Sequence, residues 1–378
     1  MSNLEHSAES LPKAKTIRTD RLDWIDYAKG IGIILVVYGH VVIGITNAGI
    51  VASAPETLQL FPKYSLEFIY TFHMSLFFFL SGLVADGNSS KSKGDFKSLF
   101  WKKVKTIAYP YLVWSIIQGI ISALMSAYTN SEFNIVELPI RILFIPIAHY
   151  WFLYALFAHH IIFALTKKVL NINIYVILFI SVLMYLIWPY MDVFPIKIIT
   201  GTFVYYVLGS ISAKVLRDAV GKISPIKFVS ISLVCLLMQV CLFFFETSFL
   251  KLDPSQPAAI NFLGASLGIL STLCLAISLA KIKIKRMDFL QYLGFLSMPI
   301  YLAHLLSVVG VRIILQKGLH INDIIFHLVA GTIIGLIFPI ILYQITKKIR
   351  FPYLFSLSKR SSLSSAISGS EAAISTRQ

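Results

Sequence analysis

The strongest constraint on this chain is a succession of apolar blocks, each roughly 20 residues long, separated by short charged segments. Twenty helical residues span about 30 Å, the thickness of a bilayer's hydrocarbon core. Lipid offers no partner to a bare amide, so blocks of this length fold as helices that satisfy their own backbone. We read ten spans, at 27–46, 66–85, 107–127, 149–166, 172–191, 197–216, 228–247, 259–280, 292–314 and 323–345, with a short interfacial helix expected around Val136–Ile145. Composition agrees, since only 13% of residues are charged and 57% are apolar, against about 25% charged in soluble domains. The expectation is an all-α, polytopic integral membrane protein.

The basic residues orient it. Lys63, Arg141, Lys197, Lys251, Arg312 and Lys317 fall in one set of alternate loops, and the remaining 27 of the 33 Lys and Arg residues fall in the other set and the two tails. Such a bias places both termini in the cytoplasm. The net charge of +15 is therefore a topology signal and not a nucleic-acid one. Residues 1–22 are expected to form a flexible cytoplasmic tail with no cleavable signal peptide, 23–350 the membrane domain, and 351–378 a second flexible tail. Cys235, Cys241 and Cys274 lie in apolar runs without ligand spacing and read as packing residues. Gly264–Gly268 and Gly331–Gly335 are expected to allow close helix contact.

Ionisable side chains at membrane depth are expensive and point to function. His40 lies 13 residues above Tyr27, about 20 Å along the first span. His73, descending in the second span, and His304, rising in the ninth, reach nearly the same level. A neutral imidazole is tolerable there and still accepts a proton near pH 7, as a general base requires. No cysteine or close carboxylate joins these three, so no metal site is expected. Glu67, Arg141, His149, Tyr150, Trp151, Glu246 and Arg312 fall near the outer mouth, where aromatic faces and carboxylates suit a sugar. His159, His160 and His327 read as packing residues or minor candidates. On the cytoplasmic side, Lys29, Lys102, Lys103 and Lys105 suit the phosphates of a donor entering from the cytosol, besides serving topology and anionic lipid.

The motifs carry a resemblance. Asp23-Trp24-Ile25-Asp26-Tyr27-Ala28-Lys29-Gly30 through Val36-Val37-Tyr38-Gly39-His40 resembles the opening motif of the acyltransferase-3 family of integral membrane acyltransferases. Phe72-His73-Met74-Ser75 through Ser81-Gly82 resembles its second motif, with Ser75 where proline is more usual. His149-Tyr150-Trp151-Phe152-Leu153 and Ser297-Met298-Pro299-Ile300-Tyr301-Leu302-Ala303-His304 are similar to further landmarks, and the likeness covers roughly residues 20–350. It implies ten helices, His40 as the catalytic residue, and an acyl-CoA donor, commonly acetyl-CoA, as co-substrate with no permanently bound cofactor. Lys29 and the 102–105 lysines stand where the family often has arginine for donor handling.

The branch it most resembles modifies sugars and surface polysaccharides. The implied reaction is acyl transfer, acetyl first and succinyl as the alternative, to a hydroxyl of an exported or lipid-linked glycan. The implied setting is a bacterial inner membrane, with membrane lipids and polysaccharide-export machinery as partners and no nucleic acid. His73 and His304 are expected to assist His40. A proton-coupled transporter is the rival from another class.

Overall fold

A computed structural model of the chain describes residues 23–85, 96–124, 135–250, 258–282 and 285–357. Among the described residues the protein is helical, with no strand. The helices are α1 (Asp23–Asn47), α2 (Glu56–Tyr70), α3 (His73–Leu83), α4 (Phe96–Lys103), α5 (Tyr109–Leu124), α6 (Leu138–Phe144), α7 (Trp151–Ala164), α8 (Ile174–Ile187), α9 (Phe194–Lys222), α10 (Pro225–Phe245), α11 (Ala258–Ile282), α12 (Asp288–Phe295), α13 (Ser297–Ile313) and α14 (Ile324–Lys348). Among the described residues, these helices join into nine rods long and apolar enough to cross a membrane, and the shorter apolar rod Ile174–Tyr190 occupies the place of the fifth expected span. The protein is an all-α polytopic membrane protein. The interfacial helix expected near 136–145 is α6 and the short turn before it.

Hydrophobicity cannot sort these helices into inner and outer ones, because lipid and core are equally apolar. Packing sorts them. The apolar stretch of α11 is 67% buried, whereas that of α10 is only 28% buried. Leu233, Leu237 and Phe244 of α10 and Phe179 of α8 are exposed, as lipid-facing side chains are. Around α1, residues Val37 and Val41 meet Gly335 and Gly331 of α14, as the small-residue pattern predicts. A closer approach was not foreseen. Gly30 of α1 lies against the Leu290 carbonyl, and Gly294 of α12 against the Asp26 carbonyl, so a Cβ at either position would enter backbone.

Two expected spans are interrupted, and a third break falls just ahead of the fourth. The second breaks at Thr71–Phe72, where Phe72 leaves helical geometry at φ −139°. Its side chain occupies space beside Gly268 of α11, and Gln239 of α10 donates from Nε2 to Thr71 Oγ1 at 3.0 Å. The break ahead of the fourth span follows α6, because Ile145 precedes Pro146 and is held out of the helical region. Ala148 then takes a left-handed φ of 48° before α7 begins. The ninth breaks at Leu296, between α12 and α13, and Pro299 falls in the first turn of α13, where a missing N–H costs nothing.

The C-terminal expectation needs correction at its start. Residues 351–357 pack on the bundle: Trp114 donates from Nε1 to the Leu354 carbonyl at 2.7 Å, Phe355 is buried, and the Leu357 amide donates to the Lys105 carbonyl at 3.1 Å. The expected tails at 1–22 and 358–378 lie outside the described residues.

Candidate functional site

The interruptions deliver histidines to one place. His40 is on the unbroken α1, seven residues before its end. His149 lies in the short turn just after the break in the fourth rod, and His304 is seven residues into α13. The ring centroids are separated by 5.5 Å for His40–His149, 4.9 Å for His40–His304 and 4.7 Å for His149–His304. The shared depth read from the sequence thus becomes contact for His40 and His304. His149, expected at the outer mouth with the substrate-binding residues, is the third member.

Backbone carbonyls fix the tautomers, because a carbonyl only accepts. His304 Nδ1 lies 2.8 Å from the Tyr301 carbonyl and 3.1 Å from that of Ile300, so it carries the proton and Nε2 holds a lone pair. That Nε2 faces His40 Nδ1 at 3.3 Å. His40 Nδ1 also lies 2.9 Å from the Val36 carbonyl, so it is the donor to both, and His40 Nε2 is left with a free lone pair. His149 donates from Nε2 to the Tyr301 carbonyl at 2.9 Å, and its Nδ1 is buried with no partner among the described residues. Tyr301 completes the frame by donating its hydroxyl to the His149 carbonyl. His40 is half-buried, whereas His149 and His304 are buried.

A chamber of about 450 Å³ adjoins the triad. His40, His73 and His149 line it, with Trp151, Tyr70 and Lys197 among the walls. His73 stands apart from the triad and donates from Nδ1 to the Ile69 carbonyl at 2.9 Å. The neutral ring therefore offers the chamber an acceptor and no N–H. Tyr70, another wall residue, packs beside it with its ring centroid 4.6 Å from that of His73.

The other expected site residues divide. Trp151 lines the chamber as expected. Tyr150 does not, because it is fully buried and its hydroxyl donates to the Leu302 carbonyl at 2.9 Å. Glu67 is exposed on α2 and absent from the chamber walls, as is the buried Glu246 that follows α10. Arg141 pairs with Glu137 at 2.9 Å on α6. Arg312 lies two turns beyond His304, beside Gly44 of α1, and its Nη1 approaches Gln316 Oε1 at 3.4 Å. Period alone gives no warning of these orientations, because a lipid-facing and a core-facing side are equally apolar. His159 and His160 are buried as packing residues, His159 in contact with Thr202 Oγ1 at 3.2 Å.

Lys29 is one-third exposed at the base of α1 and pairs with Asp26 at 3.7 Å. Lys102 and Lys105 are exposed and Lys103 half-buried at the junction of α4 and α5, where a π-turn at Val104–Ala108 interrupts the rod. None of these four lines the chamber.

Nitrogens of His40, His149 and His304 all lie within 4.8 Å of one another, the one such grouping among the described residues. Nitrogens sharing a tetrahedral ion stand roughly 3.3 Å apart, and the His40–His304 pair matches that. However, the His40 nitrogen in question is a donor to Val36, so an ion would have to displace its proton. The arrangement is better suited to passing and stabilising a proton. Tyr301, the frame of the triad, lies within the Ser297–His304 stretch but carries no sequence signal of that role, and neither does Lys197 as a chamber residue.

A family model described as an acyltransferase domain matches residues 22–344. No curated protein and no solved structure matches the chain.

Proposed function

The chain belongs to the acyltransferase-3 family, and from that premise we propose that this membrane acyltransferase moves an acyl group from acyl-CoA to a sugar hydroxyl. Acetyl-CoA is the favoured donor, and an exported or lipid-linked glycan in a bacterial inner membrane is the favoured acceptor. One observation carries the reading: His40 is the triad's least buried ring, and its Nδ1 is committed to Val36 and His304, which leaves Nε2 as a base beside the chamber.

In this scheme the acceptor hydroxyl gives its proton to His40 Nε2 as its oxygen attacks the thioester carbon. The carbon–sulfur bond then breaks, and the departing thiolate takes the proton back from His40. The products are an O-acyl ester and free CoA thiol. While His40 is an imidazolium, the lone pair of the buried His304 Nε2 faces its Nδ1–H at 3.3 Å and stabilises the charge. Aromatic walls such as Trp151 suit a sugar ring, which stacks on them with its apolar face. Lys29 and the 102–105 lysines would hold the phosphates of CoA at the cytoplasmic end.

The transporter alternative gives way to the family assignment. The test is acyl transfer by purified protein supplied with acetyl-CoA and candidate glycans. Transfer by the wild type and its loss in His40→Ala support the reading. Unchanged turnover in that variant overturns the assignment of the base.

A further inference from the structure

Among the residues that line the chamber, one carries a full positive charge and none is an aspartate or glutamate. The cation is Lys197, in the first turn of α9. It is half-buried, and it has no carboxylate partner among the described residues. Its ammonium lies 5.8 Å from the centroid of the Trp188 ring, within reach of a cation–π contact. Trp188 is in turn seated against α9 at Gly201, one turn beyond Lys197, where a Cβ would come within 3.2 Å of the indole.

Neither helix stability nor membrane anchoring accounts for this placement. A cation near a helix N-terminus opposes the helix dipole, so α9 gains nothing from it. An interfacial lysine ordinarily extends its ammonium to bulk water, but this one borders the cavity that contains the base. A lone cation over an aromatic floor, in a chamber without acidic side chains, has the charge to attract an anionic group.

We infer that Lys197 is a specificity-determining residue: it binds a carboxylate or phosphate carried by the substrate that reacts at His40, so the chamber selects an acidic substrate over its neutral counterpart. The inference rests on the acyl-transfer reading for what the substrate does, though not for its charge. The anion has two sources with the same chemistry. It is either an acidic group of the acceptor sugar or the free carboxylate of a dicarboxylic acyl group on the donor.

The test measures binding to full-length His40→Gln protein in lipid nanodiscs, where no turnover is needed. The acceptor arm compares methyl glucoside with methyl glucuronoside and glucose 6-phosphate. The donor arm compares acetyl-CoA with succinyl-CoA. In at least one arm the acidic compound is expected to bind more tightly. Adding Lys197→Met should cut that acidic-to-neutral preference roughly tenfold or more, the worth of one charge-assisted hydrogen bond. Lys197→Arg should retain it, and Lys197→Gln replaces the methionine variant if the latter does not fold. The inference is overturned if no acidic compound is preferred in either arm, or if Lys197→Met shifts both members of each pair by the same factor. Failure of the acyl-transfer reading shows separately, as no transfer by wild-type protein to any of these acceptors, while the binding preference still reports on Lys197.

Discussion

His149 and Tyr301 hold each other by reciprocal bonds: the imidazole Nε2 donates to the Tyr301 carbonyl at 2.9 Å, and the tyrosine hydroxyl donates to the His149 carbonyl. The same Tyr301 carbonyl accepts from His304 Nδ1 at 2.8 Å. One backbone group therefore sets the tautomer of two histidines, and through His304 it determines which nitrogen of His40 is free.

Tyr301→Phe should test this frame. The variant keeps the ring and its packing but frees the His149 carbonyl. The expected outcome is a kcat lower by about tenfold with KM little changed, and a stability loss of ~1 kcal/mol, the usual net worth of one hydrogen bond. Steady-state kinetics and thermal unfolding in detergent check both parts. A fall in stability alone would mean that the bond only holds the fold together.

His40→Gln should lower kcat by about 10²-fold to 10⁴-fold, the range for loss of a general base. His304→Gln should lower it less, because it removes the acceptor facing Nδ1 and leaves Nε2 in place. Equal losses in the two variants would show that the two rings act as one unit, with His304 as essential to the proton transfer as His40.

The proton on His40 Nδ1 separates a base from a metal ligand. Dialysis against a strong chelator is expected to leave the transfer rate unchanged, and elemental analysis should find no stoichiometric transition metal. Loss of activity that zinc restores would reassign the triad as a metal site.

Gly294→Ala should destabilise the protein without touching the chamber. The added methyl meets the Asp26 carbonyl, a backbone atom that cannot rotate away. Overpacking of this kind costs ~1–3 kcal/mol or more, which a thermal melt would register. Gly310→Ala is the control, since nothing stands in the way of a side chain there.

Glu67→Gln should leave the KM for the acceptor within about twofold of the wild type, because the carboxyl is exposed on α2 away from the chamber walls. Substitutions away from such features are ordinarily near neutral. A large rise in KM would restore the sequence-based assignment of Glu67 to the substrate.

The sequence by itself determined the class of protein and the level of its chemistry. Ten apolar blocks in water-free lipid leave helices as the economical way to pair the backbone, and a histidine at a known distance along a rod has a known depth. His40 and His304 were therefore legible as neighbours in height. Direction around the rod was not, because a lipid-facing side and a core-facing side carry the same apolar residues and leave no periodic signal. Tertiary packing decided that Tyr150 turns inward to Leu302 and that Glu67 turns outward. It also brought His149 into contact with His40, through a break at Pro146 whose consequence depends on where the helices beyond it dock. Lys197 shows the same division. Its charge was plain in the chain, but only the placement of α9 beside the histidines put that charge on the chamber wall.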